Sequence, residues 1–235
     1  MMRTTLAILI GGSLLAACNA GSGRQETVGE ATALAAVDTL AADAEELQPI
    51  ADYDTAEWAE VSRLAPEIVL DLKYATADNF VKEQMYDCGR CFLRPEVAAA
   101  VARVQRKMVQ KGLGLKMLDC YRPRPIQQKL WDKVPDPRYV ADPAEGSMHN
   151  RGAAVDLTIV DLSTGRELDM GTPYDFFGPE AHPSYQDLPE KVLANRKLLR
   201  DAMLEEGFQP ITTEWWHFSL TGKNYALSDM LWKCY

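Results

Sequence analysis

The sequence is short of positive charge, of histidine and of the common phosphate- and calcium-binding motifs. Its 25 lysines and arginines are outnumbered by 34 aspartates and glutamates, which gives a net charge of −9 at pH 7. Binding to nucleic acid needs clustered basic residues, so the acidic balance excludes nucleic acid as the expected partner. A glycine-rich phosphate loop and the spacing of an EF-hand are also missing, which excludes two common kinds of ligand site.

Apolar runs long enough to cross a membrane are missing as well. The N-terminal run, residues 6–17, is shorter than the roughly 20 residues that a transmembrane helix needs. It follows a positive start at Arg3 and ends in small residues, which is typical of an export signal. Leu15-Ala16-Ala17-Cys18 resembles the lipobox of bacterial lipoproteins, and this implies cleavage before Cys18 and lipid attachment to it. A plain secretory signal with an incidental cysteine is the alternative.

The next segment lacks aromatic residues. Residues 19–52 are rich in Ala, Glu, Asp and Thr, a composition that buries little apolar surface. We expect a lipoprotein signal peptide at 1–17, a lipidated cysteine with a flexible acidic tether at 18–52, and one catalytic domain at 53–235. Asn19 replaces the aspartate associated with retention at the inner membrane. The expected location is therefore the periplasm, on a lipid anchor in the outer membrane.

Four cysteines remain after Cys18, namely Cys88, Cys91, Cys120 and Cys234. An even number in an exported chain favours structural disulfides, with three possible pairings. The alternative is that Cys88 and Cys91, which are spaced as CxxC, form a redox pair or half of a metal site. A second CxxC is missing, so the sequence favours disulfides.

Helical and strand patterns are mixed in the folded part. Pro95 opens a helix that Gly112 ends, and helices are also predicted at 126–133 and 188–206. Strands are predicted at 68–74, 113–118, 152–160 and 215–220. Because the order shows no regular strand–helix–strand alternation, we expect an α+β fold with a central, mostly antiparallel sheet flanked by helices.

Two of the three histidines lie near carboxylates. His149 precedes Asp156 by seven residues, and Glu214 precedes His217 by three. Two imidazoles and a carboxylate form the ligand set of a catalytic zinc site, with a fourth position left for water. Residues three apart face opposite sides of a regular strand, so Glu214 must precede the strand if it shares a site with His217. A core histidine bonded to backbone is the alternative for His217.

Five segments resemble those of the zinc D-alanyl-D-alanine dipeptidases of the vancomycin-resistance type, which are related to D,D-carboxypeptidases. The resemblance covers residues 64–218. In chain order the segments are Asp78-Asn79-Phe80, Asp119-Cys120-Tyr121-Arg122-Pro123, Ser147-x-His149-x-x-Gly152-x-Ala154-x-Asp156, Met170-Gly171-Thr172-x-x-Asp175-Phe176 and Glu214-Trp215-Trp216-His217.

The resemblance implies that His149, Asp156 and His217 bind one zinc ion per chain. It implies that Glu214 is the general base and that Arg122 stabilises the transition state. These roles agree with general chemistry, because zinc lowers the pKa of its water to about 7 and arginine is a permanent multiple donor.

Substrate contacts follow from the same resemblance. It implies that Ser147 and Tyr121 help to bind the substrate, D-Ala-D-Ala or a related D,D-peptide. Cys120 departs from the family pattern, because the cytoplasmic members carry glycine there. Together with the signal, this indicates an exported branch that hydrolyses D-Ala-D-Ala for peptidoglycan turnover. A D,D-carboxypeptidase or endopeptidase on stem peptides and a non-catalytic envelope-binding lipoprotein are the alternatives.

Overall fold

The computed structural model describes residues 51–235. The predicted signal peptide, the lipidation site Cys18 and nearly all of the predicted tether lie outside the described residues. Within 51–235, no helix is both long and apolar enough to cross a membrane.

Seven strands and four helices make up the described fold. In chain order they are β1 (Ala59–Glu60), α1 (Val61–Leu64), β2 (Val69–Leu70), β3 (Phe92–Leu93), α2 (Pro95–Val109), β4 (Leu113–Asp119), α3 (Arg124–Lys133), β5 (Ala154–Asp161), α4 (Glu190–Glu205), β6 (Phe208–Pro210) and β7 (His217–Leu220), with 3-10 turns at Lys73–Ala75, His149–Arg151 and Pro179–Ala181.

A five-stranded sheet in the order β2-β4-β5-β7-β6 forms the centre of the fold. The β2–β4 pair is parallel and the other three pairs are antiparallel. Strand β5 lies in the middle, and seven of its eight residues are buried. Helices α2 and α4 pack against each other and against β4 and β6. The predicted α+β fold with a mostly antiparallel sheet is therefore confirmed.

Helix α2 confirms the helix that was predicted to begin at Pro95 and to end before Gly112. Pro95 is its first residue, where the missing N–H costs nothing. Val97, Val101 and Met108 lie on one stripe and are fully buried. Gly112 follows the helix with a φ of +73°, a conformation that glycine adopts without strain. Helices α3 and α4 agree with their predictions to within two residues at each end.

Two predicted strands are shorter in the structure. The segment 68–74 forms a ladder only at Val69–Leu70, and the chain then turns at Lys73–Ala75. Its apolar side chains are buried all the same, because Leu72 and Tyr74 pack into two different hydrophobic clusters. The segment 215–220 becomes regular only at His217.

Strand β6 was not predicted. It has three residues, lies at the sheet edge and ends in Pro210. Proline cannot donate to a ladder and is tolerated at an edge, so a short segment with proline gives little strand signal.

The four cysteines form two disulfides, which confirms the structural prediction. Cys88 pairs with Cys234, and Cys91 pairs with Cys120. The two cysteines of the CxxC segment therefore bind different distant partners. The first disulfide links the C-terminal segment to the domain, where Trp232 also donates from Nε1 to the Cys88 carbonyl over 3.2 Å.

Removing the Cys88–Cys234 disulfide is expected to destabilise the domain. Its partners are 146 residues apart, so the crosslink restricts a long loop of the unfolded chain. We expect Cys88→Ala with Cys234→Ala to lower the free energy of unfolding by about 2–4 kcal/mol in urea denaturation. Leu231→Ala, an exposed change in the same segment, is the control and should stay within about 0.5 kcal/mol of the parent. Equal stability of the cysteine pair variant and the parent would contradict the prediction.

Candidate metal centre

Two neighbouring strands and one turn bring three side chains together. Asp156 in β5 lies directly opposite His217 in β7, and opposed residues of an antiparallel pair project from the same face. His149 lies in the 3-10 turn before β5, which ends at Gly152 with a φ of +68°. A Cβ atom at Gly152 would lie 2.5 Å from the Trp58 ring, so glycine is required where this turn enters the strand.

The ligand atoms form a small triangle. The His217 Nδ1 atom lies 3.0 Å from Asp156 Oδ1 and 3.1 Å from His149 Nε2. The third side, from His149 Nε2 to Asp156 Oδ1, is 3.3 Å. Ligands of a tetrahedral ion at 2.0–2.1 Å are about 3.3 Å apart, so the triangle has nearly the size of one face of a zinc site.

Hydrogen bonds on the far side of each ligand determine which atom faces the centre. The Nδ1 atom of His149 lies 2.7 Å from the Cys120 carbonyl and donates to it, which leaves Nε2 with a lone pair. The Nε2 atom of His217 lies 3.0 Å from Ser219 Oγ, an acceptor for its proton when Nδ1 is the ligand atom. Tyr174 donates to Asp156 Oδ2 over 2.9 Å and leaves Oδ1 for the centre.

This donor set fits a metal cation. All three residues are buried, and with these tautomers the lone pairs of His149 Nε2 and His217 Nδ1 point at each other over 3.1 Å. Facing lone pairs repel in a buried place unless a proton or a metal cation lies between them, and a metal cation is the occupant that all three atoms can bind at once. Two imidazoles and a carboxylate with an open fourth position match catalytic zinc sites.

The electrostatics of the cluster favour the anionic ligand. Burial raises the pKa of Asp156, but the imidazoles of His149 and His217 outweigh burial and hold that pKa well below its usual range. Burial lowers the pKa of His149, yet the adjacent Asp156 carboxylate raises it overall. Asp156 is therefore a carboxylate at ordinary pH, as a metal ligand must be.

Glu214 lies just before β7, beside the cluster. Its Oε2 atom is 4.0 Å from His217 Nδ1, and its side chain is 25% exposed. Because the strand begins only at His217, the two side chains reach one site although they are three residues apart. Burial and the nearby Asp156 carboxylate raise the pKa of Glu214 above its usual value. A partly buried carboxylate of raised proton affinity suits a general base.

Arg122 lies in the wall of the same cavity. Its Nε and Nη2 atoms donate to Asp119 Oδ2 over 3.0 and 2.6 Å, and Nη1 donates to Gln127 Oε1 over 2.9 Å. The guanidinium carbon also lies 4.9 Å from the centre of the Tyr74 ring. These contacts hold the cation in one orientation toward the cavity.

The predicted substrate residues are placed differently from one another. Ser147 lines the cavity, and its buried Oγ atom has no hydrogen-bond partner among residues 51–235. Tyr121 is turned away, because its ring packs on Trp58 and its hydroxyl donates to the Met230 carbonyl over 3.1 Å. Ser147 therefore lies in the cavity with the three candidate metal ligands, and Tyr121 does not.

Asp175 also lines the cavity, although it was not among the site residues predicted from the sequence. It adopts a φ of +57°, which is rare outside glycine, and it accepts a hydrogen bond of 3.0 Å from Tyr74. Burial and the Asp156 carboxylate raise the pKa of Asp175 well above its usual value. The signal was present, since Asp175 lies in one of the segments that carried the family resemblance.

Together these residues line a cavity of about 260 Å³. Its lining includes the three candidate ligands His149, Asp156 and His217, together with Arg122, Ser147, Asp175 and Glu214. The predicted lipidation site, Cys18, lies outside the described residues.

Comparisons with known proteins agree on one family. The model of the family Peptidase_M15, described as D-ala-D-ala dipeptidase, matches residues 54–231. The D-alanyl-D-alanine dipeptidase of Escherichia coli K12 is 37% identical over 77% of this chain and 94% of that protein. The enzyme of the same name from Streptomyces coelicolor is 35% identical over 71% of this chain and 92% of its own length.

Two further matches are weaker. The D-alanyl-D-alanine dipeptidase of Enterococcus faecalis is 30% identical over 66% of this chain and 87% of its own. A solved structure of the LdcB LD-carboxypeptidase is 20% identical, covers 72% of this chain and 70% of its own, and has a TM-score of 0.42. The family match and the sequence relatives show that this chain belongs to the M15 peptidases, in the family of D-Ala-D-Ala dipeptidases.

Proposed function

We propose that this chain hydrolyses the dipeptide D-Ala-D-Ala with one zinc ion held by His149, Asp156 and His217. The observation that carries the proposal is the triangle of ligand atoms with sides of 3.0–3.3 Å, with Glu214 4.0 Å from one corner. Dipeptidases of this family are its relatives, which supports D-Ala-D-Ala as the substrate.

Glu214 carries the proton in this mechanism. A zinc ion held by His149, Asp156 and His217 would act as a Lewis acid, lowering the pKa of water to about 7 and polarising the peptide carbonyl. The Glu214 carboxylate takes a proton from the attacking water. It then passes this proton to the nitrogen of the leaving alanine.

Arg122 stabilises the oxygen that gains charge during attack. Three of its five N–H groups donate to Asp119 and Gln127, which fixes the orientation of the guanidinium. The remaining N–H groups are available to the substrate oxygen. A pre-oriented donor beside a developing oxyanion lowers the barrier without reorganising in the reaction.

Asp175 and Ser147 bind the free amino end of the dipeptide. Asp175 is a buried carboxyl whose pKa is raised well above its usual value by burial and by the Asp156 carboxylate. A substrate ammonium group beside it lowers that pKa and favours the charged carboxylate. The unpartnered Oγ of Ser147 accepts a further N–H from the same end.

The cavity has room for a small substrate. Its volume of about 260 Å³ lies just below the range of about 300–1,000 Å³ that is usual for drug-sized ligands. A dipeptide with two methyl side chains fits within this space.

We place the enzyme in the cell envelope, as a periplasmic lipoprotein lipidated at Cys18 and anchored in the outer membrane. The lipobox-like Leu15-Ala16-Ala17-Cys18 supports the anchor. The two disulfides support export, because they persist in oxidising compartments. Hydrolysis of D-Ala-D-Ala there serves peptidoglycan turnover or recycling.

Two substitutions separate the metal ligand from the base. His217→Ala removes one of three ligands, so we expect the purified protein to lose zinc and activity together. Glu214→Ala leaves the ligands intact, so it should retain one zinc while hydrolysis falls about 10²–10⁴-fold. Metal analysis with a rate assay measures both quantities. Hydrolysis by Glu214→Ala at the parent rate would show that another residue is the base.

Asp175→Asn is expected to weaken substrate binding. Asparagine tolerates positive φ and matches aspartate in shape, so the backbone should keep its conformation while the anionic partner of the ammonium is lost. The KM for D-Ala-D-Ala should rise about tenfold or more, with zinc content unchanged. Asp229→Asn, an exposed acid outside the cavity, is the control and should match the parent. An unchanged KM for Asp175→Asn would remove this residue from the binding site.

A substrate panel tests the function itself. We expect the parent to cleave D-Ala-D-Ala and to leave L-Ala-L-Ala, N-acetyl-D-Ala-D-Ala and a cell-wall pentapeptide intact. Blocking the amino group removes the partner of Asp175, which explains the second exclusion. Cleavage of the pentapeptide alone would reject the dipeptidase in favour of a D,D-carboxypeptidase, and inactivity on all four with zinc bound would favour a binding protein.

A further inference from the structure

The Cys91–Cys120 disulfide lies next to one of the proposed metal ligands. The Cys120 carbonyl accepts the hydrogen bond of 2.7 Å from His149 Nδ1. That bond determines which nitrogen of His149 carries the proton, and therefore leaves Nε2 as the ligand atom. Cys91 and Cys120 are 0% and 1% exposed, so the crosslink is buried beside the site.

The carbonyl of Cys120 lies outside the sheet that holds the other ligands. Strand β4 ends at Asp119, and its pairing with β5 is irregular between Met117 and Asp119. Residue 120 therefore gains no support from the β4–β5 ladder. Its position depends on contacts made by its own side chain and by its immediate neighbours.

Strand β3 and the residue before it supply those contacts. The Tyr121 N–H donates to the Phe92 carbonyl over 2.9 Å, and Cys91 is bonded covalently to Cys120. The segment that provides the acceptor for His149 is thus attached at two consecutive positions. The Tyr121 N–H and the Cys120 carbonyl belong to one planar peptide unit, and the disulfide holds the Cα atom of residue 120, so the two attachments fix the carbonyl together.

Asp119 is the competing acceptor for the same N–H group. Its Oδ2 atom lies 3.7 Å from His149 Nδ1, which is too far for a hydrogen bond. That oxygen already accepts two hydrogen bonds from Arg122. The Cys120 carbonyl is therefore the group that orients the imidazole.

We propose that Cys91–Cys120 is a positioning disulfide for metal binding: together with the hydrogen bond from Tyr121 to Phe92 it fixes the Cys120 carbonyl, which orients His149 and exposes Nε2 to the ion. The proposal rests on the proposed metal site. It distinguishes the two disulfides of the chain. Cys88–Cys234 fastens the C-terminal segment and supplies no contact to the three ligand residues among those described at 51–235.

Paired variants test the proposal. Cys91→Ala with Cys120→Ala removes the positioning disulfide, and Cys91→Val with Cys120→Ala does so while refilling part of the volume. Cys88→Ala with Cys234→Ala is the matched control. Three measurements are made on each folded protein: zinc affinity by competition with a chelator, the visible spectrum of the Co²⁺-loaded form, and the ¹⁵N shifts of the His149 ring in the metal-free form.

We expect loss of Cys91–Cys120 to weaken zinc binding about 10–100-fold, as for other groups that orient metal ligands. The Co²⁺ spectrum should change, and the ring shifts should indicate a mixture of tautomers. The Cys88–Cys234 pair variant should match the parent in all three measurements although it is less stable. A purely structural role of Cys91–Cys120 would lower stability and leave the ring shifts and the Co²⁺ spectrum unchanged.

The remaining outcomes overturn the proposal. Folded Cys91–Cys120 variants with the parent's zinc affinity would overturn it while the proposed function stands. Failure of both variants to fold would assign the disulfide to the fold as a whole and reject the specific positioning role. Equal weakening in the control pair would do the same. If the parent binds no zinc, the proposed function itself fails, and the positioning proposal fails with it.

Discussion

The arrangement of the site depends on one constraint, which is that three ligand atoms converge on a single buried point. Two unprotonated ring nitrogens and a carboxylate oxygen that are 3.0–3.3 Å apart repel in a low-dielectric interior unless a proton or a metal cation lies between them. The fold enforces the convergence. The β5–β7 register opposes Asp156 and His217, and the turn ended by Gly152 brings His149 over them. Hydrogen bonds to Cys120, Ser219 and Tyr174 then direct each ligand atom inward.

The charges of the cavity follow from the same constraint. Asp156, Asp175 and Glu214 are three acids in one small cavity, and the guanidinium of Arg122 is already paired with Asp119. Burial and the Asp156 carboxylate raise the pKa of both other acids. In the function that we propose, a divalent ion at the three ligands and a substrate ammonium group at Asp175 supply positive charge to these acids.

Part of this could be read from the sequence. Pro95 and Gly112 are strong local signals, and they predicted helix α2. If Glu214 and His217 share one site, their spacing requires the strand to begin after Glu214, and β7 does begin at His217. Cysteine pairing could not be read, because it depends on distances between segments far apart in the chain. The side-chain directions of Asp175, which lines the cavity, and of Tyr121, which points away from it, were not predicted for a related reason. Both lie in irregular segments, where the direction of a side chain is set by packing and not by a periodic pattern.

Zinc X-ray absorption of the metal-loaded protein tests whether these three side chains bind one zinc ion. We predict one zinc per chain with nitrogen and oxygen ligands at about 2.0–2.1 Å and the multiple-scattering signature of two imidazoles. A sulfur shell near 2.3 Å, fewer than two imidazoles, or a protein that retains no zinc would contradict it.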